Sequence, residues 1–193
     1  MNKKGFTLVE LLVTIVILAI IMLIAVPNIM NTIERNRQDT YIETAKRMIT
    51  LAEYKYRSDT SIPEPGEDEC VIFFLRMLDL DEENGPNGGT YDKDYSYVVM
   101  TKENDTFTYY ATLFEAKEDN GTTSRTGVNL VSESELNEEG AGSKYVQSIS
   151  ALDQYYFYGY GNATYHFNGS SSTPTSTITL NGKNYRIAKM LFQ

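Results

Sequence analysis

An apolar run near the N-terminus constrains this chain more than any other feature. The 21 residues from Phe6 to Val26 contain one charged side chain, Glu10. As an α-helix, such a run would be about 32 Å long, which matches the hydrocarbon core of a bilayer. Lys3 and Lys4 precede it, and basic residues keep their end of a membrane helix in the cytoplasm. The sequence therefore predicts a membrane-spanning helix, with the bulk of the chain on the outer side.

Three interpretations of the run differ in how they treat Glu10. A secretory signal peptide is disfavoured, because the run is longer than a usual apolar signal region and no Ala-x-Ala site follows it. A plain membrane anchor explains the length. It does not explain why the run contains an acid. A carboxylate costs about 2.5–3.5 kcal/mol at mid-bilayer, and less near the interface. The third interpretation is an anchor whose acid gains a partner when copies assemble.

The third interpretation is supported by a family resemblance. Lys3–Glu10 (KKGFTLVE), followed by the apolar run, resembles the class III signal of type IV prepilins and related pseudopilins. In that family a membrane peptidase cuts after the glycine and N-methylates the new first residue. The resemblance therefore implies cleavage between Gly5 and Phe6, methylation of Phe6, and a basic leader over residues 1–5. Pro27 matches the family's proline within the first helix.

The resemblance also implies how the chain is used. In a filament, Glu10 of one copy faces the Phe6 amine of a neighbour, a pair worth roughly 4 kcal/mol before desolvation. Desolvation offsets much of this, so the pair sets axial register more than it supplies stability. The implied partners are copies of the chain in a helical filament, the prepilin peptidase, and a pilus assembly platform with its ATPase. The implied location is the membrane before assembly and the extracellular surface afterwards, with roles in adhesion, motility or surface interaction.

A second helical half is expected after Pro27. Apolar side chains recur there at spacings of three or four residues: Met30, Ile33, Tyr41, Ala45, Met48, Ala52 and Tyr56, with Ile29, Ile42 and Ile49 beside them. A helix from Phe6 to Arg57 would be about 78 Å long, and Pro27 should kink it. The expected organisation is a leader (1–5), a membrane or filament-core helix (6–27), an amphipathic helix (28–57) and a globular head (58–193).

The expected fold class is α+β, with the amphipathic helix packed on an antiparallel β-sheet. Cys70–Leu80 is apolar and is interpreted as a short helix. A hairpin is expected from Tyr95–Met100 and Thr106–Phe114. A second hairpin is expected from Thr175–Leu180 and Lys183–Met190, joined by Asn181-Gly182 in a type I′ turn. Weaker predictions are a strand at Val128–Val131 and a helical or irregular segment at Ser143–Leu152.

An acidic, glycine-rich loop offers the only metal candidates. Asp79, Asp81, Asp92 and Asp94 lie in or beside it. The EF-hand spacing fails there, so a solvated loop is the favoured interpretation. Calcium stays an alternative, because some pseudopilins bind calcium in their heads.

Charge and composition exclude several functional classes. The formal net charge is −9, which argues against general nucleic-acid binding, since that needs a basic surface. Residues 28–57 carry six basic and four acidic side chains (+2), and residues from 58 onward carry nine and twenty-one (−12). One cysteine, Cys70, excludes an internal disulfide and favours a Gram-positive source. One histidine, His166, leaves little from which to build a catalytic or metal site.

We therefore expect a pilin subunit with no catalytic role and no cofactor. A pseudopilin of a type II secretion or competence DNA-uptake system shares the same N-terminal signal and stays open. An alternative of another class is a membrane-anchored ligand-binding module. Its binding surface would be the tyrosine cluster Tyr155–Tyr160, one of the notable parts of a chain with 15 tyrosines. The competing interpretation is that these tyrosines cover a half-buried sheet face.

Overall fold

The computed structural model describes residues 7–149 and 177–191, which belong to two units, Met1–Arg37 and Gln38–Gln193. Helix α1 spans Leu8–Ser58 and contributes residues to both units. In the first unit, every described residue of α1 is exposed apart from the half-buried Ala25. The long helix predicted from the apolar run and its continuation is confirmed within one or two residues at each end. Lys3, Lys4, Gly5 and Phe6 lie outside the described residues.

The second unit contains an eight-stranded sheet and short helical segments. The elements after α1 are β1 (Glu69–Phe74), a 3-10 helix (Leu75–Met77), β2 (Thr90–Tyr91), β3 (Tyr97–Glu103), β4 (Thr106–Asp119), β5 (Thr122–Ser132), α2 (Glu133–Leu136), α3 (Ala141–Tyr145), β6 (Gln147–Ile149), β7 (Thr177–Leu180) and β8 (Lys183–Leu191). The strand order is β6-β5-β4-β3-β1-β8-β7, and β2 pairs with β4. The described strand pairs are antiparallel except β1 with β8, which is parallel. The α+β class is thus confirmed.

The second half of α1 packs on one face of this sheet. Its buried apolar residues are Tyr41, Ile42, Ala45, Met48, Ile49 and Ala52. They form one cluster with strand residues such as Val71, Phe73, Val98 and Leu113. The predicted apolar stripe is therefore confirmed from Tyr41 onward. Met30 and Ile33, which the same periodicity assigned to the stripe, are exposed and belong to the first unit.

The segment predicted as a helix at Cys70–Leu80 is instead strand β1 followed by a single 3-10 turn. β1 lies between β3 and β8 and is buried on both faces, so its run Cys70–Phe74 is apolar without alternation. A short continuous apolar run cannot be assigned to helix or strand by periodicity. Its β-branched and aromatic residues (Val71, Ile72, Phe73, Phe74) are those that fit a central strand.

A second apolar cluster lies on the sheet face opposite α1. We call this the second face, and its buried members are Cys70, Ile72, Phe74, Tyr97, Val99, Tyr110, Ile178, Leu180 and Tyr185. They alternate with residues of the α1-facing cluster, as Ile72 does with Val71 and Phe73. Since successive strand side chains point to opposite faces, the sheet has two apolar faces. Burial raises the pKa of the Cys70 thiol to about 12, so Cys70 is a buried structural thiol.

Both predicted hairpins are confirmed. Strands β3 and β4 pair in antiparallel register from Tyr97 opposite Thr112 to Glu103 opposite Thr106. Strands β7 and β8 pair around Asn181 and Gly182, which both have positive φ (49° and 80°). Two successive positive φ angles define the type I′ turn, which asparagine and glycine favour. The predicted strand at Val128–Val131 is part of the longer β5.

Candidate functional site: the apolar helix and its N-terminal carboxylate

The first turn of α1 is closed by a reciprocal pair of side chains, Thr7 and Glu10. The backbone N–H and the hydroxyl of Thr7 both donate to Glu10 Oε2, each at 2.8 Å. In return, the Glu10 backbone N–H donates to Thr7 Oγ1 at 3.3 Å. This is the capping-box arrangement, in which two N–H groups that the first turn leaves unpaired are satisfied by side chains. The acid also lies at the positive end of the helix dipole.

The capping box gives Glu10 a role that the sequence analysis did not assign. Thr-x-x-Glu before an apolar run is itself a helix-start motif, so the signal was present in Thr7–Glu10. The single acid of the apolar run is therefore hydrogen-bonded within its own chain. A polar group that lies in or near hydrocarbon needs such partners, because no water is there to supply them.

Within residues 7–149 and 177–191, none of the apolar side chains from Leu11 to Ile33 belongs to a buried cluster. The large side chains from Leu8 to Ile33 are exposed, from 40% at Ile33 to 80% at Leu8 and Leu23. By length and composition, this part of α1 is able to cross a membrane. Leucine, isoleucine and valine exposed all round a helix mark a surface meant for lipid or for other apolar helices. This is consistent with a membrane-anchored precursor.

Polar side chains in and after this run bond to the helix backbone. Thr14 Oγ1 donates to the Leu11 carbonyl at 2.8 Å, and Asn28 Nδ2 donates to the Ile24 carbonyl at 3.2 Å. Pro27 lies inside α1, which is helical on both sides of it. A proline has no N–H and cannot bond the carbonyl four residues earlier, here Leu23. The kink expected at Pro27 stays a prediction.

Three of the four aspartates considered for calcium form ion pairs with arginines. Asp92 accepts from Arg125 Nε at 2.9 Å, and Asp94 accepts from Arg76. Asp81 lies 3.8 Å from an Arg47 nitrogen, and Asp79 is exposed. Among the described residues, no three His, Cys, Asp or Glu side chains come together in a group that could hold a metal. Asp81, Asp92 and Asp94 are therefore paired with positive side chains of the head.

A buried acid that the sequence analysis missed holds the same loop. Glu115 on β4 is 2% exposed. Its Oε2 accepts from the Tyr41 hydroxyl at 2.5 Å and from the Asn87 N–H at 3.0 Å, and its Oε1 accepts from the Gly89 N–H at 2.5 Å. Asn87 Nδ2 completes the network by donating to the Tyr41 hydroxyl at 2.9 Å. Burial, and next the hydrogen bond to Glu115, raises the pKa of Tyr41.

This network joins α1, β4 and the loop before β2 within the second unit. Its geometry leaves no room for a side chain at Gly85, since a Cβ there would come within 2.1 Å of Glu115 Oε2. The acid accepts hydrogen bonds from Tyr41, Asn87 and Gly89, and these bonds hold the loop against α1 and β4. The sequence did not indicate this network, because Glu115 follows an apolar strand segment and therefore resembles a surface residue at the end of a strand.

An open groove of about 620 Å³ lies beside this loop. Its charged lining residues include Lys93, Lys117 and Arg125. Arg125 is paired with Asp92, Lys93 Nζ donates to Glu83 at 3.0 Å, and Lys117 Nζ donates to the Asn87 carbonyl. These cations are thus engaged within the head. The tyrosine cluster Tyr155–Tyr160 and His166 lie outside the described residues.

Comparison with known proteins agrees with the N-terminal geometry. Residues 1–26 match the family model described as the prokaryotic N-terminal methylation motif. A Bacillus licheniformis protein named ComG operon protein 3 homolog is 33% identical over 91 residues, which make up 46% of this chain and 87% of the relative. No solved structure gives a significant match. The exposed apolar helix agrees with the methylation motif and with this relative. We conclude from them that the chain belongs to the type IV pilin-like family.

Proposed function

We propose that this chain is a type IV pilin subunit, which a prepilin peptidase cleaves between Gly5 and Phe6 and which then polymerises into an extracellular surface filament. The methylation motif over residues 1–26 supports the processing step. In this proposal the chain is the substrate of the peptidase, which also methylates Phe6, and it has no catalytic role of its own.

The observation that carries the proposal is the exposed apolar half of α1 with a single, capped acid. Each apolar side chain of this helix left in water costs about 25 cal/mol per Å² of apolar surface. Lipid covers that surface before assembly, and the same half of neighbouring copies covers it in a filament. Contacts with lipid need no specificity, whereas contacts between copies must be specific. Glu10 supplies the one charged side chain along the run for this purpose.

The capped state of Glu10 supports an order of events. In the precursor, the Thr7 N–H and hydroxyl satisfy one carboxylate oxygen. After cleavage, the new amine of Phe6 on a neighbouring copy supplies a positive charge to the same carboxylate. Because a buried charge without a partner is costly, only the register that brings amine and acid together is stable. The remaining partners in the proposal are the pilus assembly platform and its ATPase.

A second candidate is a pseudopilin of a type II secretion or DNA-uptake system. The observation that favours it is the name of the Bacillus licheniformis relative, which describes that protein as one product of an operon. A subunit encoded with dedicated machinery can form a short fibre confined to the cell envelope. The two candidates share the N-terminal chemistry and differ in the length and location of the polymer.

Electron microscopy of sheared surface material, combined with N-terminal sequencing of its protein, tests the proposal. The pilin proposal expects long filaments whose subunit begins at N-methylated Phe6. A processed chain that stays in the envelope fraction and forms no sheared filament supports the pseudopilin instead. A chain that still carries Gly5 in its host and polymerises nowhere overturns both.

A further inference from the structure

Asparagine followed by glycine is a chemically reactive pair. The backbone nitrogen of the glycine attacks the asparagine Cγ, a C–N bond forms, and the side-chain amide leaves as ammonia together with the glycine N–H proton. Water then opens the resulting succinimide ring to aspartate or isoaspartate. Glycine favours the ring closure because it has no side chain and rotates freely. The structure describes the pairs Asn84-Gly85, Asn87-Gly88, Asn120-Gly121 and Asn181-Gly182.

Hydrogen bonds hold the two pairs in the loop before β2. The Gly85 N–H donates to the Gly89 carbonyl at 3.0 Å, and the Gly88 N–H donates to the Gly85 carbonyl at 3.2 Å. The attacking nitrogen of each pair is therefore engaged. Asn87 Nδ2 also donates to the Tyr41 hydroxyl at 2.9 Å. Succinimide formation in either pair requires such bonds to break first.

The pair Asn181-Gly182 lies in the turn between β7 and β8 and is tied to the sheet. Asn181 Nδ2 donates to the Tyr110 hydroxyl at 3.5 Å. Leu180, which precedes the turn, is 3% exposed and belongs to the second apolar cluster. Opening this turn therefore releases the reacting amide from its hydrogen bond and disturbs a buried side chain.

The pair Asn120-Gly121 lies at the tip of the β4–β5 hairpin and lacks these restraints. Every residue from Lys117 to Ser124 is exposed. Within the described part of the chain, no hydrogen bond engages the Asn120 amide or the Gly121 N–H. The asparagine side chain and the attacking nitrogen are therefore both accessible to water and to each other.

The strands that carry this tip extend past the rest of the described sheet. Strand β3 pairs with β4 as far as Thr112, and β2 pairs with it as far as Ala116. On the other side, β6 pairs with β5 from Arg125 onward. Between Ala116 and Arg125 the two strands thus pair with each other alone among the described strands. A two-stranded ribbon is marginally stable in water, and such a tip opens at little cost in free energy.

We propose that Asn120-Gly121 is a site of spontaneous modification, at which Asn120 becomes aspartate or isoaspartate in the folded chain while the other three described pairs are protected. The reaction consumes water and releases ammonia. It replaces a neutral amide with a carboxylate, and isoaspartate also lengthens the backbone of a two-residue turn, whose geometry depends on its length. The proposal does not depend on polymerisation or on cleavage at Gly5, so its failure and that of the pilin proposal are distinguishable.

Mass spectrometry of peptides from the full chain tests the proposal. The chain is kept folded in detergent micelles in a mildly alkaline buffer, and conversion at each asparagine is followed over time. Water enriched in heavy oxygen labels the products of the succinimide route. A local opening that costs about 1.4 kcal/mol slows a reaction about tenfold. We therefore expect Asn120 to react at least about tenfold faster than Asn84, Asn87 and Asn181.

Two controls separate the effect of the fold from that of the sequence. In urea the protecting bonds are lost, so the four rates should converge. In the folded variant Asn120→Gln, the added methylene moves the amide carbon away from a five-membered ring closure, so conversion at the tip should stop while the other three rates stay unchanged. Equal rates in the folded chain, a faster rate at any of the other three pairs, or a rate difference that persists in urea would overturn the proposal.

Discussion

Replacing Tyr41 with phenylalanine removes one hydroxyl from the buried network around Glu115. Tyr41 is 1% exposed, and its hydroxyl donates to Glu115 Oε2 at 2.5 Å and accepts from Asn87 at 2.9 Å. Hydrogen bonds to charged groups contribute about 1.5–3 kcal/mol each. The aromatic ring and its packing are unchanged by the substitution. We therefore expect the free energy of unfolding to fall by about 1.5–3 kcal/mol.

This loss corresponds to a change of about 10- to 150-fold in the ratio of folded to unfolded chain. The assay is urea denaturation of the full chain in detergent micelles, followed by circular dichroism. The matched control is Tyr54→Phe, because Tyr54 lies on the same helix but is 72% exposed, and we expect a change within about 0.5 kcal/mol for it.

Hydrogen exchange supplies a local measurement of the same change. The backbone N–H groups of Asn87 and Gly89 both donate to Glu115. If Tyr41 helps to fix that carboxylate, both amides should exchange faster in Tyr41→Phe and not in Tyr54→Phe. Equal stabilities of the two variants, with unchanged exchange at both amides, would refute the assignment of Glu115 as the anchor of the loop.

Three further predictions concern processing, assembly and the sheet. Gly5→Leu should block cleavage, because the family's peptidase cuts after a glycine; a chain of mature size on a gel would contradict this. Glu10→Ala should give processed chain that assembles poorly. Thr7→Val removes the cap hydroxyl and keeps the acid, so it should lower the filament yield less. Equal filament yields from both variants in sheared material would count against the pairing role of Glu10. Gly127→Ala places a Cβ 1.8 Å from the Leu113 carbonyl oxygen. This substitution should destabilise the head by about 1–3 kcal/mol or more. The control in the same urea assay is Gly66→Ala, because the atom nearest to a Cβ there is 3.5 Å away.

Local sequence patterns correctly predicted the helices and turns whose conformation depends on residues close in sequence. The periodicity from Tyr41 to Ala52 places these side chains against the sheet, as observed. Asn181-Gly182 predicts its own turn, because the required positive φ angles favour these two residue types. Thr-x-x-Glu before an apolar run is also a local signal and predicts the capping box of Thr7 and Glu10, whereas the sequence analysis assigned Glu10 to the membrane and to a pair with a neighbouring copy.

Non-local contacts account for what the sequence did not reveal. Strand β1 resembled a helix because it lies between β3 and β8 and is buried on both faces, so its apolar run does not alternate with polar residues. Nothing near Glu115 in sequence indicates its donors, which come from Tyr41, 74 residues earlier, and from a loop 26–28 residues earlier. The parallel pairing of β1 with β8 joins the start and the end of the head, and no local pattern encodes it.

That parallel pair has a consequence for the order in which the head can fold. β8 follows the other described strands in sequence, yet it lies inside the sheet between β1 and β7. Until β8 has been synthesised, β1 lacks its parallel neighbour and keeps one edge of unpaired backbone groups. The first described strand of the head completes its pairing only with Arg186–Leu191, so synthesis of β8 is the step that allows this sheet to form.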